Sequence, residues 1–192
     1  GKACGHVDFW FFEISECVSI SFGDEGDEPP VPALIRSVPL KSNPVAHLST
    51  AVGKIAAWKP PITINETTGA YFKRLAAISS PEEAKRYRDV LSPDPAIASA
   101  ADDYFLEHEP RHASMLRTSL SPTIFQAGYR VNVIPSEAKA TIDVRVHPDE
   151  DPAKVLEQLG AVVNDAAIHV NWTARDVRPH GTTRLNTDAF KV

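Results

Sequence analysis

The sequence predicts an α+β fold: a four-stranded antiparallel sheet with two helices on one face, interrupted by a helical insertion. Three observations predict it. Residues 140–147 alternate strictly: Ala140, Ile142, Val144 and Val146 are apolar, while Thr141, Asp143, Arg145 and His147 are polar, the period of a half-buried strand. Two segments, opening at Asn43-Pro44 and Asp151-Pro152, each place a capping residue before a proline and an apolar stripe at helical spacing. Between the first of these helices and the alternating strand, residues 62–110 read as wholly helical. With one strand in front, the order is that of a ferredoxin-like split βαβ sandwich.

Each element has its own justification. His6-Val7-Asp8-Phe9 and Cys17 to Phe22 read as strands, the latter with Val18, Ile20 and Phe22 on one face. The Asn43 helix aligns Val45, Leu48, Val52, Ile55 and Ala56, and stops before Lys59-Pro60-Pro61. Thr67 to Ile78 forms the first helix of the insert. Ser80 caps a second, with Pro81 in its first turn and Ala84, Tyr87 and Leu91 inward. A third begins near Pro95, its stripe being Ile97, Ala100, Ala101, Tyr104 and Phe105. Ser114 to Ala127 suits a strand interrupted at Pro122, with Met115–Leu120 as its unguarded edge. Val155, Leu156, Leu159, Val162 and Val163 face inward from the Asp151 helix, and Ile168, Val170 and Trp172 alternate along a last strand.

Composition limits the function. The 192 residues are 43% hydrophobic and 23% charged, with a net charge of -5, so a packed core is expected and disorder is not. An acidic balance excludes nucleic acid and an anionic membrane surface as main partners, because both require a basic face. No apolar run approaches the roughly 18–20 residues of a membrane span. Cys4 and Cys17 are expected as free thiols in a reducing compartment, which favours the cytoplasm. A start at Gly1 reads as a fragment or a processed product.

Catalytic motifs are scarce. There is no Gly-x-Ser-x-Gly elbow, phosphate loop or His-Glu-x-x-His. His47 falls on a helix, His108 and His112 in a polar connection, and His147 and His169 on the polar phase of strands. These histidines are read as structural, so no metal site is assigned. His6-Val7-Asp8 could supply one ligand and an orienting carboxylate, but a site needs more. Near the bend Gly128 to Pro135, Asn132 offers a donor and an acceptor. Arg145, and Arg178 before Pro179, each offer a fork for a carboxylate. The competing reading is structural: Asn132 ties down the bend, and Arg145 pairs with Asp143 or Asp149.

The run from His112 to Arg145 is similar to a known family. It contains Leu116-Arg117-Thr118-Ser119, Pro122-Thr123-Ile124-Phe125-Gln126-Ala127-Gly128, Asn132-Val133-Ile134-Pro135 and Asp143-Val144-Arg145. These resemble the dimerisation (lid) domain of M20 zinc metallopeptidases, in the carboxypeptidase-S-like branch. Ser37 to Leu48 resembles the start of that domain's first helix, and Arg178 to Phe190 its return segment. The resemblance implies a lid over residues 37–178 with its helical insert at 62–110, and a return segment over 179–192 toward a catalytic domain. It also implies lid-to-lid homodimers, a peptide or N-acyl amino acid substrate, and two zinc ions in the intact parent. Asn132 and Arg145 would bind the substrate's carbonyl and carboxylate, with Arg178 in a similar role.

Three departures accompany the resemblance. Where the family carries a histidine that reaches the partner subunit, Ile35 stands here. Gly5-His6-Val7-Asp8 is similar to the family's Gly-His-x-Asp, yet the Asp-Asp and Glu-Glu motifs are absent. The chain stops at Val192, where a second catalytic half would begin. Residues 1–36 therefore read as atypical or remnant catalytic sequence, with no cofactor held by this chain. The expectation is a lid and dimerisation module of an M20-type hydrolase; alternatives are a free-standing, non-catalytic dimerisation or binding module, or a metal enzyme built on His6 and Asp8.

Overall fold

The computed structural model describes residues 16–22, 42–131, 133–173, 182 and 185–188. The strand expected at residues 6–9 lies outside them. In chain order the elements are β1 (Glu16–Phe22), α1 (Pro44–Ala57), α2 (Glu66–Ile78), α3 (Pro81–Asp89), α4 (Pro95–His108), α5 (Pro110–Ser114), β2 (Ser119–Ala127), β3 (Ala138–Arg145), α6 (Pro152–Val163) and β4 (Ile168–Trp172). The sheet order is β2-β3-β1-β4. This is the α+β split βαβ arrangement that the sequence predicts.

The chain divides into two compact units. The sheet unit comprises residues 1–59, 120–146 and 150–178. In it β1 runs antiparallel to both neighbours, pairing Val18 with Ile142 and Trp172, and Ile20 with Ala140 and Val170. Side chains alternate across a strand, so one face of β3 takes all the burial: Ala138, Ala140, Ile142 and Val144. Leu48, Ala51 and Ile55 from α1, and Val155, Leu159 and Val163 from α6, complete that core. Their spacing of three and four residues is the stripe of an amphipathic helix. Each large side chain removed from water contributes about 1.5–3 kcal/mol.

The helix starts follow from their caps. The Asn43 side chain accepts from the Val45 N–H, and Asp151 accepts from the Ala153 N–H, both at 2.9 Å. Pro44 and Pro152 follow these caps, where the missing N–H costs nothing. Asn164 ends α6 in the left-handed region at φ 45, a conformation asparagine tolerates better than branched residues. Across the end of this helix, His47 Nδ1 meets Asp165 Oδ2 at 2.6 Å and Lys54 donates to the Val163 carbonyl at 2.5 Å.

The helical unit comprises residues 60–119, 147–149 and 179–192. Phe72, Tyr87, Val90, Phe105 and Leu116 form its core. Asn65 and Ser80 each close a capping box, with Thr68 and Glu83, so α2 begins at Glu66, one residue earlier than expected. The Leu116-Arg117-Thr118 run stitches this unit. Thr63 N–H donates to the Leu116 carbonyl at 2.6 Å, Arg117 donates to the Pro60 carbonyl at 3.1 Å, and Thr118 Oγ1 accepts from the His147 N–H at 2.9 Å. Arg117 also forms an ion pair with Asp102, and both are buried. Burial pushes the Arg117 guanidinium below its ordinary pKa.

Several expectations are corrected. The strand begins at Ser119, not Ser114, because residues 110–114 turn as α5 and residues 116–118 are buried. Pro122 does not interrupt it, since an edge strand does not need every N–H. His108 and His112 lie on α4 and α5 rather than in a connection. His147 is buried, because the polar phase of the strand stops when β3 ends at Arg145.

Replacing Arg117 with alanine should destabilise the helical unit by about 3–5 kcal/mol, as breaking a buried ion pair does. The joint change of Arg117→Met and Asp102→Leu should cost far less; urea titrations of both variants check the difference. Asp165 gives a pH prediction. The hydrogen bond from His47, followed by that from the Ala167 N–H, holds its carboxyl below the usual range. The stability it contributes is therefore present above about pH 3.9 and is lost as pH falls through the lower folded value. Thermal melts of wild type and Asp165→Asn should differ at pH 6 and converge as the pH falls through the lowered folded value.

Candidate functional site

The burial of β3 decides which way Arg145 points. Ile142 and Val144 go into the core, so Lys139, Thr141, Asp143 and Arg145 project from the opposite face. The register continues this polar face across the sheet: Ser19 sits between Thr141 and Asn171, and Ser21 between Lys139 and His169. Arg145 is the last residue of β3 and its side chain is half exposed. Its Nε donates to Asp143 Oδ2 at 3.4 Å. Among the described residues the two terminal nitrogens of the guanidinium carry no hydrogen bond, so a carboxylate could still be gripped by the end of the fork.

The pairing with Asp143 is one of the structural alternatives, and it coexists with an outward-facing guanidinium. Asp149, the other alternative, has its own partners within the helical unit. That carboxylate accepts from Asn65 Nδ2 at 2.8 Å and Thr182 Oγ1 at 2.6 Å. These bonds, that from Thr182 foremost, lower its pKa. Asn132 and Arg178 lie outside the described residues, so Arg145 is the one predicted site residue whose surroundings are defined. Nearby, Gly128 has φ 69, a conformation suited to glycine, and the Val133 N–H meets the Arg130 carbonyl at 3.4 Å.

The exposed edge is β2 at Ser119–Ala127, displaced from the expected Met115–Leu120. Every residue from Ser121 to Val131 is exposed. Ile124 and Phe125, adjacent and therefore on opposite faces, are both 45% exposed. Leu120, in phase with Ile124, packs against the core, so Ile124 lies on the helix-bearing side. Apolar side chains thus project from both faces of an outermost strand.

Among the described residues no group of three His, Cys, Asp or Glu side chains could hold a metal ion, and His6 and Asp8 lie outside them. The described residues therefore do not fit a zinc centre. No helix among the described residues is long and apolar enough to cross a membrane. A cleft of about 560 Å³ between Ile64, Lys73, Leu91 and Leu185 contains none of the predicted site residues. One cluster was missed by the sequence reading: Glu109, His112 and Tyr71 in the helical unit. The i, i+3 spacing of Glu109 and His112 was a usable signal; the partnership with Tyr71 was not.

The sheet unit is thus a split βαβ sandwich with a polar open face and an exposed outer strand. The family model described as a peptidase dimerisation domain, that of the M20 peptidases, matches residues 39–171, and the chain belongs to this family. It is 29% identical over 129 residues to the human N-fatty-acyl-amino acid synthase/hydrolase PM20D1, covering 67% of this chain and 25% of that protein. It is 26% identical over 160 residues to the probable carboxypeptidase S-like 2 of Dictyostelium discoideum, covering 81% of this chain and 29% of that protein. The chain thus spans under a third of the length of either relative. A crystal structure of an M20 family metallo-carboxypeptidase from Sulfolobus solfataricus superposes over 93% of this chain and 47% of its own, with a TM-score of 0.52 and 18% identity, which shows the shared fold.

Proposed function

We propose that this chain acts as the lid and dimerisation domain of an M20-type hydrolase that cleaves peptide or N-acyl amino acid amide bonds. The observation that carries the reading is Arg145, projecting from the polar face of the sheet with the end of its fork open. A planar guanidinium matches a carboxylate in two parallel hydrogen bonds, which a free amino acid terminus would supply. Asn132 would hold the scissile carbonyl and Arg178 would add a second cationic contact. Names of the relatives support the substrate class: one is a carboxypeptidase S-like protein, and the other acts on N-fatty-acyl amino acids. The lid would grip the carboxylate end of the substrate and exclude water on closing, and the metal chemistry would belong to the catalytic domain of the parent.

The same reading has two copies pairing through β2. An outermost strand with apolar side chains on both faces offers its backbone to a second strand and its side chains to the partner's surface.

Both parts are testable. In the full-length parent, Arg145→Ala should change stability by only about 0.5 kcal/mol, as for an exposed side chain. It should reduce kcat/KM by about 2–4 kcal/mol of transition-state binding, roughly thirtyfold to a thousandfold. A collapsed melting temperature with kcat/KM retained in the folded fraction would make Arg145 structural. Light scattering of this chain should give a dimer, and Phe125→Glu should dissociate it without unfolding; a monomer across a wide concentration range refutes the pairing.

A further inference from the structure

We infer that Tyr71, His112 and Glu109 form a nucleophilic relay on the helical unit, in which the Tyr71 hydroxyl can take an acyl group from an activated ester. This inference does not depend on the lid reading. His112 lies on α5, three residues after Glu109 at the helix start, and its Nδ1 is 2.5 Å from Glu109 Oε2. A carboxylate only accepts, so in the neutral imidazole Nδ1 carries the proton and Nε2 is left as an acceptor. Nε2 faces the Tyr71 hydroxyl from α2 at 3.1 Å. The hydroxyl therefore donates to the imidazole, and the imidazole donates to the carboxylate: nucleophile, base and orienting group in one chain of hydrogen bonds.

The surroundings hold this order in place. Tyr87 donates to Glu109 Oε2 at 3.4 Å, and Arg86 Nε lies 3.9 Å from Oε1, so the carboxylate is held in place. Burial, and then the charge of Glu109, raises the Tyr87 pKa, which keeps that phenol a donor. Phe72, Tyr87 and Phe105 surround the imidazole at centroid distances of 5.5, 5.4 and 5.6 Å. They fix the ring plane and keep water from most of it. Tyr71 itself is 38% exposed and within reach of a solute.

The step balances. Tyr71 Oη attacks the ester carbonyl carbon as its proton passes to His112 Nε2. The Oη–C bond forms, the bond from carbon to the leaving oxygen breaks, and the leaving group departs with the electron pair. The imidazolium then returns its proton to water.

The probe is 4-nitrophenyl acetate, with acetylation followed residue by residue through peptide mass spectrometry of the intact 192-residue chain. Tyr129 is the internal control: it is 73% exposed and has no histidine partner among the described residues. Tyr71 should be acetylated at least about tenfold faster than Tyr129, and His112→Ala or Glu109→Gln should cut its rate about tenfold or more, with Tyr129 unchanged. If His112→Ala perturbs the circular dichroism spectrum, His112→Gln fills the cage without supplying a base and serves in its place. Labelling that follows exposure, with Tyr129 ahead, overturns the relay. So does a Tyr71 rate that is unchanged in folded His112 and Glu109 variants.

Discussion

Arg117 is the buried charge around which the helical unit is tied together. Its helices have 5 to 14 residues, lengths at which isolated helices are marginal in water. The guanidinium of Arg117 binds the Pro60 carbonyl where the unit begins and pairs with Asp102 on α4. Its neighbours secure Thr63 and His147. Three successive residues after α5 therefore tie Pro60 and Thr63, α4 and His147 to one another. Substituting either charge alone leaves the other in a dry interior, which is why the pair is costly to break one partner at a time.

In the sheet unit the governing constraint is register. Pairing Val18 with Ile142 and Ile20 with Ala140 places these four residues, with Ala138 and Val144, on one face. A slip of one residue would reverse both sets, so the core enforces the register. The polar face follows without further instruction: once Val144 is buried, Arg145 and Asp143 must leave on the other side. Two helices cover the inner face, and β2 at the outside keeps both of its faces exposed. Core, polar face and exposed outer strand thus arise from one alternating pattern.

Glu109 links packing to reactivity in the helical unit. It precedes Pro110 at the start of α5 without making a side-chain cap, which leaves its carboxylate free to meet His112, Tyr87 and Arg86. The aromatic core built by Phe72 and Phe105, stacked with centroids 5.7 Å apart, also forms the wall against the imidazole.

The sequence by itself determined the element order, because its signals are local. A cap followed by proline marks the starts of α1, α3 and α6, and each needs only a few neighbouring residues to act. Strict alternation located β3 and the outward direction of Arg145 for the same reason. What spans a long sequence separation was decided by the tertiary structure alone. Arg117 looked like part of a strand and is a buried clasp, because its partners Pro60 and Asp102 carry no local mark. His147 looked exposed and is buried, since alternation stops where the ladder stops. Tyr71 and His112 meet across 41 residues. Periodicity states which side of an element is apolar, but not which polar groups the folded chain brings to the same place.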